Sequence, residues 1–104
     1  MYRQRVHLFP KTIDAWNEFI ALGEEYNKLA AAKGWAQGTY WMRTVGDPDE
    51  VIADFDYADL ASFQHENEQG LKDPEAVDVW RRVDGLDRVR PSYSELFETA
   101  LSVG

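Results

Sequence analysis

Tyr2-Arg3-Gln4-Arg5-Val6-His7-Leu8-Phe9 (YRQRVHLF) decides the fold. Strand alternation sets Tyr2, Gln4, Val6 and Leu8 on one side and Arg3, Arg5, His7 and Phe9 on the other. The first side can serve an apolar core. The second carries cations where an isolated sheet would meet water, so what covers it is a functional question. The stretch reads as the first strand and the centre of a single sheet.

Working outward, Pro10 cannot donate to a strand ladder and ends the pairing. Thr12 is placed as the N-cap of a helix reaching about Lys33, with Asp14 in its first turn and as the alternative cap. Ile13, Trp16, Phe19, Ile20, Gly23, Tyr26, Asn27 and Ala30 share one broad helical face. Gly23 fits either close contact between helix and sheet or room left for a ligand. Gly34 reads as a left-handed helix terminator, with Trp35 folding back. A second strand spans 36–45, Gly46-Asp47-Pro48-Asp49 is a turn, and a third strand spans 50–57. Asp59 caps a second helix with Leu60, Phe63, Gln64, Asn67 and Leu71 as its inner stripe. Gly70 weakens that helix, and Asp73-Pro74 restarts it to bury Ala76, Val77, Trp80 and Val83 before Gly85. A last strand runs over 92–100.

The order βαββαβ with right-handed crossovers gives an α+β, ferredoxin-like domain over residues 1–104. Its four-stranded antiparallel sheet has the order 4-1-3-2 and carries both helices on one face. The bare face would display Arg3, Arg5, His7 and Phe9, then Ile52, Asp54 and Asp56, with Thr39, Trp41 and Arg43 from the second strand. The second-strand assignment depends on whether Gly38 hosts a bulge. Arg3 and Arg5 can oppose Asp54 and Asp56 across neighbouring strands. The apolar members are too many for water, and a symmetric homodimer through this face is the economical cover.

The 104 residues suit one core, and 44% hydrophobic with 13% aromatic residues excludes disorder. Cysteine is absent, which removes disulfides and thiolate chemistry. No apolar run is long enough for a membrane span or signal peptide, so the expectation is a soluble, cytoplasmic protein with no membrane contact. The net charge of −8 disfavours nucleic acid. An RNA-recognition domain shares the topology but needs basic neighbours on the third strand, where Asp54 and Asp56 stand.

The chain resembles the dimeric α/β-barrel superfamily, which includes antibiotic-biosynthesis-monooxygenase-like and NIPSNAP-like domains. The likeness lies in the Phe9-Pro10-Lys11 exit into Trp16-Asn17-Glu18-Phe19, in Gly38, in Asp56-Tyr57-Ala58-Asp59-Leu60-Ala61-Ser62-Phe63, and in Asp73-Pro74-Glu75 with Trp80. It covers nearly the whole chain. It implies a homodimer whose sheets form a barrel, with a pocket between sheet and helices. Activities across that superfamily include cofactor-free monooxygenases, haem-degrading enzymes, isomerases and polyketide cyclases, so membership alone does not name a reaction.

His7 is the candidate catalytic residue, as a general base that neighbouring arginines help keep neutral; the structural alternative is a histidine satisfied by Asp54 or Asp56. Asn27, Asn67, Trp41, Arg43, Tyr57, Phe63 and Trp80 are the candidate ligand-binding residues. The asparagines fall on inward stripes, where a buried amide needs partners, and the aromatics suit a planar ligand or plain core packing. His65 with Glu66, Glu68 and Gln69 has metal-ligand spacing but reads as a solvated cluster, and no metal is expected. The resembled haem-degrading enzymes carry a ligating histidine late in the second helix, where this chain has Trp80, Arg81 and Arg82; no cofactor is expected. The leading expectation is a homodimer binding a small aromatic or anionic molecule, as a cofactor-independent monooxygenase or isomerase on an aromatic or polyketide-like compound. The alternative is a non-catalytic, stress-related or scaffold dimer.

Overall fold

The computed structural model describes residues 1–43, 45 and 50–101. The elements run β1 (Tyr2–Leu8), α1 (Ile13–Lys33), β2 (Gly38–Met42), β3 (Val51–Tyr57), α2 (Leu60–Lys72), α3 (Pro74–Asp84) and β4 (Tyr93–Glu98). All strand pairs are antiparallel in the order β2-β3-β1-β4, which is 4-1-3-2 read from the opposite edge. The expected second helix is two helices. Asp73 ends α2 and caps α3 by accepting from the Glu75 and Ala76 N–H groups, and Pro74 occupies the first turn.

Local chemistry fixes the other boundaries. Thr12 caps α1 through its Oγ1, which accepts from Ala15 N–H at 3.0 Å. Gly34 stops α1 at φ 71°, a left-handed conformation that disfavours any residue with a Cβ, and Trp35 N–H returns to Ala30 O at 2.8 Å. Asp59 accepts from Ser62 N–H at 2.7 Å and starts α2. β2 starts later than expected, with Ala36 N–H going to the Glu66 carboxylate instead of a strand partner, and it ends at Met42. The proposed turn at 46–49 lies outside the described residues. β2 pairs with β3 one residue against one from Gly38 to Met42, so Gly38 hosts no bulge. β4 is likewise shorter than expected, stopping at Glu98.

The core lies between the helices and the side of the sheet that presents Leu8, Val51, Ala53, Phe55 and Tyr57; Phe19, Leu22, Val79 and Val83 close it from above. Gly23 is resolved as close contact: a Cβ there would stand 2.7 Å from Tyr40 Cζ. Four expected core residues are elsewhere; Val77 of α3 is one, at 43% exposed, while Ala76, Val79 and Val83 are the buried residues of that helix. Ile13 is 79% exposed, because a side chain on the first helical residue points back past the helix end. Leu60 and Leu71 are also exposed, at 39% and 80%. α2 turns Phe63, Glu66 and Gly70 toward the sheet, and the Leu60–Leu71 stripe lies to one side of that line.

Candidate functional site: a cavity under α2 and α3

Two separate constellations lie on opposite sides of the sheet. On the helix side, α2 and α3 stand off from β1 and β4 and leave a solvent-connected cavity of about 540 Å³. Gln4 and Val6 of β1, Phe55 and Tyr57 of β3, and Ser92 and Ser94 at β4 form its floor. Tyr26 of α1, Glu66, Asn67, Gly70 and Leu71 of α2, and Val77, Trp80, Arg81 and Asp84 of α3 form its walls. The volume falls in the range of small-molecule sites, and the lining has the expected mixture of aromatic surface with a few polar groups.

The aromatic wall is ordered by its own packing. Tyr26 meets Trp80 at 5.2 Å between ring centroids and Phe55 edge-on at 5.7 Å, and Phe55 meets Trp80 at 6.2 Å. Tyr57 packs edge-on against Phe63 at 5.2 Å, which sets its ring from behind. Such contacts hold rings beyond what area burial alone contributes. Burial, reinforced by the nearby Glu66 carboxylate, pushes the Tyr26 and Tyr57 hydroxyls above the ordinary phenol value. Both therefore stay protonated and act as neutral hydrogen-bonding groups. Glu66 is fixed by accepting Ala36 N–H on both carboxylate oxygens, at 3.1 and 3.2 Å.

On the other side, the open face is a ladder of paired charges. Arg3 donates through Nε and Nη2 to both Asp56 oxygens at 2.7 and 2.9 Å, and Arg5 does the same to Asp54 at 2.9 and 3.1 Å. The hydrogen bond from Arg3 holds the Asp56 carboxyl below the usual carboxylate range. His7 is buried between two carboxylates, Nδ1 to Glu50 Oε1 and Nε2 to Glu95 Oε1, both at 2.5 Å, with Tyr93 stacked on its ring at 4.4 Å. The two carboxylates grip opposite ring edges and do not converge on one point, and among the described residues no three His, Cys, Asp or Glu converge for a metal. Glu50 is also held by Arg43. Burial opposes ionisation of Glu50, but the hydrogen bonds from His7 and Arg43 outweigh it and keep the carboxyl below its ordinary value.

The expected site residues divide accordingly. Tyr57, Trp80 and Asn67 border the cavity, Asn67 from an exposed position at its mouth, while Phe63 supports Tyr57 from behind. Trp41 and Arg43 stand on the open face with His7. His7 is paired with Glu50 and Glu95, whereas the sequence pointed to arginines or to Asp54 and Asp56; those four charges satisfy one another. Asn27 is bonded to backbone, donating to Gly38 O at 2.9 Å and accepting from Gly38 N–H at 2.7 Å. Phe9 is not bare: Arg90 lies 4.2 Å above its ring and Tyr93 packs beside it. Glu66 is one of the lining residues that sequence reasoning missed, with Gln4, Arg81, Asp84, Ser92 and Ser94. It groups with the solvated His65 cluster by composition, yet it stands one turn beyond Phe63, and that spacing was the available signal.

No protein-family model matches the chain, and no curated protein matches it significantly. Solved structures do. An uncharacterized NIPSNAP domain protein from Burkholderia xenovorans superposes with a TM-score of 0.76 at 15% identity, over 100% of this chain and 99% of that one. A mutant of SnoaB, a cofactor-independent oxygenase from Streptomyces nogalater, gives 0.74 at 14% identity over 98% and 95%. An antibiotic biosynthesis monooxygenase gives 0.73 at 11% identity over 97% and 100%. The chain has the ferredoxin-like fold common to NIPSNAP and antibiotic-biosynthesis-monooxygenase domain proteins.

Proposed function

We propose that this protein is a homodimer that binds a small aromatic molecule in the cavity under α2 and α3. The cavity itself carries the proposal: about 540 Å³ bordered by Tyr26, Phe55, Tyr57 and Trp80, inside a domain of only 104 residues. Its size and its lining of aromatic rings with a few polar groups are those of a small-molecule site. The fold neighbours support an enzymatic form of the same reading, cofactor-independent oxygenation or isomerisation. Both chemistries begin by removing a proton from the substrate. Glu66 and Asp84 are the lining carboxylates that can take it, while Tyr26 and Tyr57 stay protonated. In the oxygenation, a substrate CH₂ and O₂ become C=O and water, with the substrate supplying the electrons.

The dimer is proposed through the open face. The domain is a slab of 36 × 35 × 20 Å, and its broad side can supply the roughly 800 Å² per partner of a standard interface. Trp41, Tyr93 and Phe97 on that side are 53%, 52% and 42% exposed, around a centre of already paired charges. Pairing them with a second copy buries the aromatics without leaving a charge unsatisfied.

A thermal-shift screen with aromatic and polyketide-like compounds tests the ligand reading. Hits should persist in His7→Ala, which lies across the sheet, and disappear when the cavity is filled. Oxygen uptake with a hit separates oxygenase from isomerase chemistry. A second reading, a non-catalytic dimer, is favoured by one observation: the described basic side chains at the centre of the open face, Arg3, Arg5, His7 and Arg43, each have a carboxylate partner. It predicts stability changes in His7→Ala and no hit at all.

A further inference from the structure

The charge of the cavity lining selects among aromatic ligands. Two carboxylates, Glu66 and Asp84, border the space against one guanidinium, Arg81. Arg81 is already paired with Asp78 at 2.6 Å and its side chain is 76% exposed, so it serves the rim and not the interior. Glu66 is the opposite case. It is only partly exposed, and the Ala36 N–H holds it in place while using part of its acceptor capacity. Tyr26 and Tyr57 border the same cavity, and Trp80 packs against Tyr26. Aromatic faces are the negative poles of their quadrupoles, with Trp the strongest, and they attract cations most when water is excluded. An oriented carboxylate beside three such rings makes a recognition surface for a positive charge. The net charge of −8 steers in the same direction from long range. Asp84 is exposed like Arg81 and belongs to the rim, so inside the cavity an anion would meet Glu66 with no cation among the described lining residues.

Resting on the reading of this cavity as a ligand site, we infer that it selects a cationic aromatic ligand, one whose ammonium-type group sits against Glu66 while its ring lies on the Tyr26–Trp80 wall. The polar hydroxyls of Ser92 and Ser94 and the amides of Gln4 and Asn67 then serve the neutral part of the molecule. Neither net charge nor fold alone implies this choice; it follows from which charged side chains face the cavity and which are spent outside it.

Three probes sharing one bicyclic ring test it: 2-naphthylmethylammonium, 2-naphthalenemethanol and 2-naphthoate, titrated calorimetrically into the intact protein. The expected order is ammonium tightest, alcohol about tenfold weaker, and carboxylate weaker again. Glu66→Gln keeps an acceptor for Ala36 N–H and should bring the ammonium down to the alcohol. The ammonium advantage of the unaltered protein should also shrink as salt is raised, which needs no variant. Equal binding of ammonium and alcohol, or tightest binding of the carboxylate, overturns the charge preference and leaves the cavity a ligand site. Binding of none of the three overturns both.

Discussion

Gly23→Ala is expected to destabilise this protein although alanine is the better helix former. A new Cβ at position 23 would lie 2.7 Å from Tyr40 Cζ and 2.9 Å from Cε1. Carbon atoms rest about 3.5–4.0 Å apart, so the ring end must retreat by about 1 Å. It has little room: Phe19 lies edge-on at 5.9 Å and Phe55 at 6.5 Å between centroids, and both are 2% exposed. Retreat also breaks the hydrogen bond that the Tyr40 hydroxyl donates to Gly23 O at 3.3 Å. Overpacking costs about 1–3 kcal/mol and the lost hydrogen bond about 1 kcal/mol, against a gain of about 1 kcal/mol in helix propensity. The net loss of about 1–3 kcal/mol should lower the urea midpoint by roughly 1 M at unchanged slope. In a Tyr40→Leu background the sign should reverse, since only the propensity gain remains. A Gly23→Ala protein as stable as the parent would refute the close approach of α1 to β2. That approach matters for function, because it leaves the open space beneath α2 and α3 and not beneath α1.

Asn27→Ala leaves Gly38 N–H and O without their partner and should cost about 2 kcal/mol in denaturant titrations, with ligand affinity unchanged. Glu50→Gln should cost about 1–3 kcal/mol at neutral pH, because it weakens the bonds from His7 and Arg43 to a buried side chain. The Glu50 carboxyl titrates lower folded than unfolded, so its contribution is complete above its unfolded value of 4.5 and is lost as the pH falls through the folded value. Glu50→Gln should therefore flatten the acid limb of a stability–pH curve, and an unchanged limb would contradict the pairing. Trp41→Glu places a charge in the proposed contact between copies and should convert a dimer to a monomer in sedimentation velocity, with the circular dichroism spectrum retained.

The sheet was readable because β1 alternates strictly and because Arg3 and Arg5 find opposite charges on β3 at matching positions. Helix starts were readable because Thr12, Asp59 and Asp73 are caps whose chemistry is local. The site was harder. His7 shares the open face with Arg3 and Arg5, which suggested them as its neighbours, but its ring reaches Glu50, one residue before β3, and Glu95 on β4, the strand paired with β1 on its other side. Neither contact follows from local sequence. Asn27 lies on the inner face of α1 as expected, yet its amide meets the Gly38 backbone, a match that exists only after β2 has docked. Glu66 was hidden by its polar neighbours, since a glutamate between His65 and Asn67 gives no apolar signal of facing inward.

Filling the cavity is the most direct test of its role. Gly70 borders it, sits within α2, and would place a Cβ where no atom lies within 4 Å. Gly70→Trp should fold with unchanged or higher thermal stability, helped by replacing a helical glycine, while calorimetry shows that the aromatic ligands bound by the parent no longer bind. Undiminished affinity in a folded Gly70→Trp protein would contradict the assignment of this space as the binding site.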